Sequence, residues 1–456
     1  MNKFTKITAS IGPKCEDYDT LAQMVRAGMN VCRLNFSHDT GDVQGAKIDL
    51  IRRVASDLNT PVAVMIDLQG PKHRIGNFAT EDKYPLTIGQ KFTFDDDPTP
   101  GDATRVQLPD ADVMKSLNPG DRILLNDGKI EMTVDTVADN KIVATVVRGD
   151  EIWSRRGFNL PDTDIATSVL TPKDRADLEY AITKNPDWVA ISFVQRPEDV
   201  AEVRDFITAR TSHPIKIIAK IERPNAVERI ADIAAAADGI MVARGDLAVE
   251  VPFEQVPAIS RHIIRTCRML NRPVIMATQM LGTMVTSEFP TRAEISDVAN
   301  AAYLRTDSTM TSEETTIGVN PVNVIETMAK IVTYADYDAI THPSDWLRTE
   351  NVPENDWSRS VASMAYLNHA SAIVVFARDT DIATKISCRK PDIPIIAVCR
   401  DAVVANQLCL SRGVFPICDD ALFGQRDGFN SARQFGILSG QLVIVDDEKI
   451  SLRAMD

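Results

Sequence analysis

Lys220 and Glu222 stand two residues apart at the end of the run Ile215-Lys216-Ile217-Ile218-Ala219-Lys220-Ile221-Glu222, and Asp246 follows a second apolar run, Gly239-Ile240-Met241-Val242-Ala243-Arg244. Side chains alternate along a strand, so Lys220 and Glu222 share one side. An ammonium and two carboxylates at neighbouring strand ends suit a divalent cation and an anionic substrate. Mg2+ (or Mn2+) takes hard oxygen ligands, one or two carboxylates, and completes its shell with substrate oxygens and water. Arg33, Arg74 and Lys220 would then neutralise a phosphoryl group, the guanidinium with forked donors and the ammonium as a point charge. That set describes phosphoryl transfer with a metal stabilising an enolate.

Residues so far apart in the chain meet only if the fold gathers strand ends. Short runs ending in a polar residue or glycine recur at Lys6 to Gly12, Asn30 to Asn35, Pro61 to Asp67, Trp188 to Ser192, Ile215 to Glu222, Gly239 to Gly245, Pro273 to Thr278 and Asp307 to Ser312. Strands alternating with helical patterns predict an α/β protein, a closed (β/α)8 TIM barrel over residues 1–76 and 157–333. Its strand ends offer Arg33, Asn35, Ser37, Asp67, Ser192, Lys220, Glu222, Gly245, Asp246, Thr278 and Ser312, with Lys72 and Arg74 just beyond Asp67. The long gap after Asp67 holds period-2 runs and turn signals, so residues 77–156 are expected to form an inserted small β-barrel lid domain. Its Asn126-Asp127-Gly128 reads as a hairpin turn. Residues 345–456 read as a C-terminal α/β domain with a mainly parallel sheet, Asn351 to Asp356 leading into it. Pro290-Thr291-Arg292-Ala293-Glu294 is a capping box.

Composition bounds the reading. A formal charge of −14 over 456 residues argues against a nucleic-acid partner. No run approaches a membrane span, no signal peptide is legible, and the seven cysteines, without C-x-x-C, read as free core thiols of a cytoplasmic protein. G-x-G-x-x-G, P-loop and zinc spacings are missing. Taken singly, each site residue has a structural reading: Lys220 and Glu222 an interior ion pair, Arg33 a rim side chain, Asp67 a helix cap, Gly245-Asp246 a tight turn, Ser37 and Thr278 hydroxyls on nearby backbone. Convergence on one barrel end favours chemistry.

The runs Thr5-Lys6-Ile7 with Ile11-Gly12-Pro13, Arg33-Leu34-Asn35-Phe36-Ser37-His38, Asp67-Leu68-Gln69-Gly70-Pro71-Lys72-His73-Arg74, Ala219-Lys220-Ile221-Glu222, Met241-Val242-Ala243-Arg244-Gly245-Asp246-Leu247, Ala277-Thr278-Gln279-Met280 and Pro290-Thr291-Arg292-Ala293-Glu294 resemble pyruvate kinase, in the same order. The resemblance implies phosphate transfer from phosphoenolpyruvate to ADP, giving pyruvate and ATP, the last step of glycolysis. It implies Mg2+ at Glu222 and Asp246, substrate contacts at Ser192, Gly245, Asp246 and Thr278, and stabilisation of the phosphoryl group by Lys220 and Arg33. Protonation of the enol is implied at Thr278, through water. Nucleotide contacts are implied at Arg74, Asn35, His38 and Arg156, with Asp127 on the lid and a homotetrameric assembly.

Several positions depart from the family pattern. Its potassium-requiring members carry Glu where this chain has Lys72, and Thr-Lys where it has Leu68-Gln69. The Lys72 ammonium is therefore expected to supply the cation, and K+ is not expected to be required. Asn35, Ser37 and Asp67, which match potassium ligands, read as scaffold or phosphate contacts. Arg156 replaces a lid lysine, Ala248 follows Leu247 where glycine is preferred, and Glu313 replaces a glycine. The turn Ala377-Arg378-Asp379-Thr380-Asp381 puts carboxylates where activated relatives hold a sugar bisphosphate, so fructose 1,6-bisphosphate is not expected to activate. Two other readings share some of these residues: an Mg2+-dependent lyase or aldolase handling enolates, and a catalytically silent relative.

Overall fold

The computed structural model describes residues 3–138, 140–163, 168–342, 356–447 and 449–455. The loop expected at Asn351 to Asp356 lies outside them except for Asp356. Eight parallel strands, Lys6–Ser10, Val31–Asn35, Ala63–Asp67, Trp188–Ile191, Lys216–Ile221, Gly239–Ala243, Val274–Ala277 and Ser308–Thr311, close into a barrel in sequential order, the eighth beside the first. Each is a short, almost wholly buried run, as strands covered on both faces require. The polar eighth strand takes its place by internal bonding: Ser308 Oγ meets Thr8 Oγ1 at 2.8 Å. The sixth strand stops at Ala243, and Arg244–Glu250 is a helix, so Asp246 lies in a helix's first turn rather than at a strand tip.

The inserted domain is built on a six-stranded sheet in the order Phe158–Asn159, Arg122–Leu125, Ile130–Ala138, Lys141–Arg148, Lys91–Asp95, Arg105–Gln107, with a separate ribbon of Tyr84–Pro85 and Glu151–Ile152. Its packing continues past residue 156, where the sequence pattern ends it. Phe158 and Leu160 are buried in the same core as Phe92 and Phe94, and Phe158–Asn159 forms the sheet edge. Asn126 and Asp127 adopt φ of 51° and 55° and Gly128 φ of 77°, turning the hairpin between Arg122–Leu125 and Ile130–Ala138.

The C-terminal domain is a five-stranded sheet, Val414–Cys418, Ile395–Cys399, Ala370–Ala377, Gly440–Asp446 and Lys449–Met455. The last strand is antiparallel and was not legible as a strand, being mostly exposed on an edge. Cys409 and Leu410 of this domain join the barrel's interior cluster with Met65, Met241 and Ile275, plugging its base. Six cysteines are buried as expected, but Cys418 is exposed. No helix among the described residues is long and apolar enough to cross a membrane.

Candidate active site

At the C-terminal end of the barrel, Lys220 Nζ lies 3.3 Å from Asp67 Oδ1, 3.0 Å from Glu222 Oε1 and 2.8 Å from Ser192 Oγ. Arg33 closes the other side, its Nε donating to Asp67 Oδ2 at 2.7 Å and Nη1 to Ser10 Oγ at 2.8 Å. Asp67 thus holds two cations rather than capping a helix. Burial alone would lower the Lys220 pKa, but Asp67 and Glu222 outweigh it and leave the ammonium above the ordinary lysine value. Asp67 is held below the carboxylate range because Lys220 and Arg33 overcome its burial. Glu222 moves the other way: burial, helped by repulsion from Asp246, raises it despite Lys220. Glu222 Oε2 accepts the Phe193 backbone N–H at 2.7 Å, while buried Oε1 faces the Lys220 ammonium.

A cavity of about 310 Å3 opens beside this cluster, lined by Lys72, Asp127, Gly245, Asp246, Thr278 and Glu313 among others. Lys72 Nζ rests 3.2 Å from Asp246 Oδ1. Thr278 and Gln279 have φ of 73° and 53°, a left-handed backbone that is costly for a β-branched residue. The strain directs Thr278 Oγ1 to accept the Gly245 N–H at 2.8 Å while donating to the Ala277 carbonyl at 2.7 Å. Arg244 secures it by donating to the carbonyls of Ala277 and Thr278, and is itself fixed by two bonds to Asp297 at 2.8 and 2.7 Å.

Residues 2–325 match the family model described as pyruvate kinase, barrel domain, and residues 355–447 the one described as pyruvate kinase, alpha/beta domain. The chain belongs to the pyruvate kinase family. The pyruvate kinase of Methylorubrum extorquens is 39% identical over 417 residues, covering 91% of this chain and 86% of the relative. That of Agrobacterium vitis is 37% identical over 454 residues, covering 97% and 95%. The crystal structure of a pyruvate kinase from Cryptosporidium parvum matches with a TM-score of 0.93 at 29% identity, over 100% of this chain and 96% of that one. Pyruvate kinases are phosphotransferases, and this chain is an enzyme of that class.

At this site the donor set fits a divalent ion. Two carboxylates, buried Glu222 and the Asp246 that lines the cavity, supply hard oxygens and leave room for the substrate oxygens and water that Mg2+ prefers. The other expected residues are spread around the rim. Asn35 Oδ1 accepts the Ser37 N–H at 3.1 Å, Ser37 and His38 are exposed, and Leu68 is buried in the core. Exposed Arg74 donates to the Arg155 carbonyl at 3.1 Å, and Arg156 stacks on Trp153 with 4.9 Å from guanidinium to ring centroid.

The sequence pattern did not single out Ser10, Arg244 with Asp297, or Asn159 with Glu250 as parts of the site. Nor did it assign a part to Glu314, whose carboxylate accepts the Ser312 and Leu281 N–H groups. Arg244 adjoins Gly245-Asp246 and offered a signal; the partners of the others are non-local, and nothing in the chain marked them.

Proposed function

We propose that the enzyme transfers the phosphoryl group of phosphoenolpyruvate to ADP, giving pyruvate and ATP, with Mg2+ or Mn2+ held by Glu222 and Asp246. The observation that carries the reading is Lys220, a half-buried ammonium between two carboxylates and Ser192, beside a cavity shared by Asp246 and Thr278. A bound divalent ion supplies charge neutralisation for the reacting oxygens. Lys220 presents a fixed positive charge to the phosphoryl group in flight, and Arg33, locked on Asp67 and Ser10, holds the same group from the other side. The P–O bond to the enol oxygen breaks as a bond forms to the terminal phosphate oxygen of ADP. The enolate carbon then takes a proton. The Thr278 hydroxyl is already donating to Ala277, and a threonine is too weak an acid to act unaided, so the proton arrives through water oriented at Thr278.

Gly245 and Ser192 line the substrate side; Arg74, Asn35, His38 and Arg156 serve the nucleotide, and Asp127 closes over it from the lid. Lys72 supplies the cation that replaces K+. It delivers its charge at Asp246, while Asn35 and Asp67 already take donors from Ser37, Arg33 and Lys220. Fructose 1,6-bisphosphate does not activate: around the turn after Ala370–Ala377, Arg378 is paired with Asp447 at 2.9 Å and Lys385 with Asp381 at 2.7 Å, leaving these cations to internal carboxylates. A cytoplasmic homotetramer is the assembly that family likeness supports.

The test is pyruvate formation from phosphoenolpyruvate, ADP and Mg2+ in sodium or Tris salts, with and without KCl, beside Lys220→Met. Full turnover without potassium and a nearly silent variant are expected. No ATP from the intact protein would reject the reaction, strong K+ stimulation the role of Lys72, and a leftward shift of the phosphoenolpyruvate curve by micromolar bisphosphate the lack of activation.

A further inference from the structure

The lid meets the barrel at two points on one short helix, Arg244–Glu250. At the lid's tip, a β-carbon built on Gly128 would lie 3.7 Å from Val249 Cγ1. At its root, Asn159 Nδ2 donates to Glu250 Oε1 at 2.8 Å, and both residues are buried. Asn159 sits on the lid sheet's edge strand, opposite Leu124, so this bond pins the whole sheet to the helix. The same helix carries Gly245 and Asp246 in its first turn. Two turns of helix do not bend appreciably, so displacement at Glu250 is passed to Asp246.

A second observation marks Glu250 as more than a packing contact. Its Oε2 is buried without a hydrogen-bond partner among the described residues, and so is Nε of Arg223, the neighbour of Glu222. Burial pushes the Glu250 carboxyl up, and the attraction of Arg223 opposes it. Complementary buried groups left unpaired are costly, which suits a network that completes itself when the lid shifts. Arg223 and Glu250 then join the segments bearing Glu222 and Asp246, with Asn159 reporting the lid.

We propose that Glu250 and Asn159 are positioning residues that couple the lid to the placement of Asp246, Arg223 completing the network as the lid closes. The inference rests on reading Asp246 as a ligand of the divalent cation.

The test compares the wild-type protein with Asn159→Asp, Glu250→Gln and the double variant, reading hydrogen exchange in residues 244–250 and Mn2+ affinity of the substrate-free protein by electron paramagnetic resonance. Asn159→Asp sets two carboxylates against each other and should speed exchange and weaken Mn2+ binding about 10-fold. Glu250→Gln keeps an acceptor for Asn159 and loses only the charge facing Arg223, so a smaller change is expected. The double variant restores the pair with donor and acceptor exchanged and should recover both readouts, which a merely space-filling role would not do. Wild-type behaviour of Asn159→Asp, or a double variant no better than Asn159→Asp, overturns the proposal. Asp246→Asn separates the two readings: if it binds Mn2+ as the wild type does, the ligand assignment fails, while the exchange data still judge the coupling.

Discussion

The two ends of the barrel carry the same kinds of charge and treat them oppositely. At the C-terminal end, Asp67 Oδ1 and Glu222 Oε1 share the single ammonium of Lys220, at 3.3 and 3.0 Å, and Asp246 lines an open cavity. At the N-terminal end, Asp307 Oδ1 accepts Lys390 Nζ at 2.6 Å and the Arg412 N–H at 3.0 Å, while Oδ2 accepts the Val274 N–H. Asp336 likewise accepts from Phe4, Thr5 and Arg412. These carboxylates are sealed under the C-terminal domain with both oxygens satisfied. Access to a cavity distinguishes the reactive end; carboxylates enclosed under a second domain and bonded by backbone N–H groups as well as cations mark an anchor between domains.

Removing one ammonium from each end breaks the comparison most sharply. Lys220→Met should lower kcat by about a thousandfold or more, since it deletes the charge facing the transferred group, with a smaller loss of stability than at the other end because Asp67 keeps Arg33 and Glu222 keeps the Phe193 N–H. Lys390→Met should do the reverse. It strands the buried Asp307 and should cost about 3–5 kcal/mol of stability, measured by urea unfolding, while kcat per folded molecule stays near wild type. If Lys390→Met were catalytically dead yet as stable as the parent, the two ends would not differ as argued.

A smaller effect is expected at Arg244, where the reactive end borrows the base's strategy of full satisfaction. Its guanidinium reaches Asp297 and two carbonyls together, geometry that a lysine's point charge cannot reproduce. Arg244→Lys should let the Thr278 backbone relax, lowering kcat by about 10–100-fold, because such strain is worth roughly 1–3 kcal/mol. Unchanged kcat would mean that Thr278 is held by its own bonds to Gly245 and Ala277.

How much of this was legible varies with locality. The barrel strands could be read because most are apolar runs closed by a polar residue, and the strand ends that carry Lys220 and Glu222 follow from that rule; the polar eighth, Ser308–Thr311, shows only by its place in the alternation. The capping box at Thr291 and Glu294 forms as its spacing requires. Ile130–Ala138 was overlooked although Ile130, Met132 and Val134 alternate with polar residues, a signal present but unused. The edge strand Lys449–Met455 offers no apolar run because one neighbour and much solvent suffice for it. Asn159 and Glu250 are 91 residues apart, and no periodicity predicts a bond that depends on how a lid sits on a barrel.

The smallest expected effect sharpens the contrast from within the sealed end. Lys6 donates to the Val414 carbonyl and lies 4.5 Å over the Phe415 ring, so its ammonium is buried against neutral partners, unlike Lys390. Burial pulls its pKa down to about 8. A lysine whose folded-state pKa lies below its unfolded value of about 10.4 binds its proton less well when folded. Lys6 therefore opposes folding most fully below pH 8, and this opposition fades as the pH rises from there towards the unfolded value. Lys6→Met should raise stability by roughly 1–2 kcal/mol at pH 7, and the gain should shrink at pH 10. Urea unfolding at both pH values decides it: a loss of stability at pH 7, or a gain that persists undiminished at pH 10, would show that the ammonium is as well compensated as its neighbours at Asp307 and Asp336.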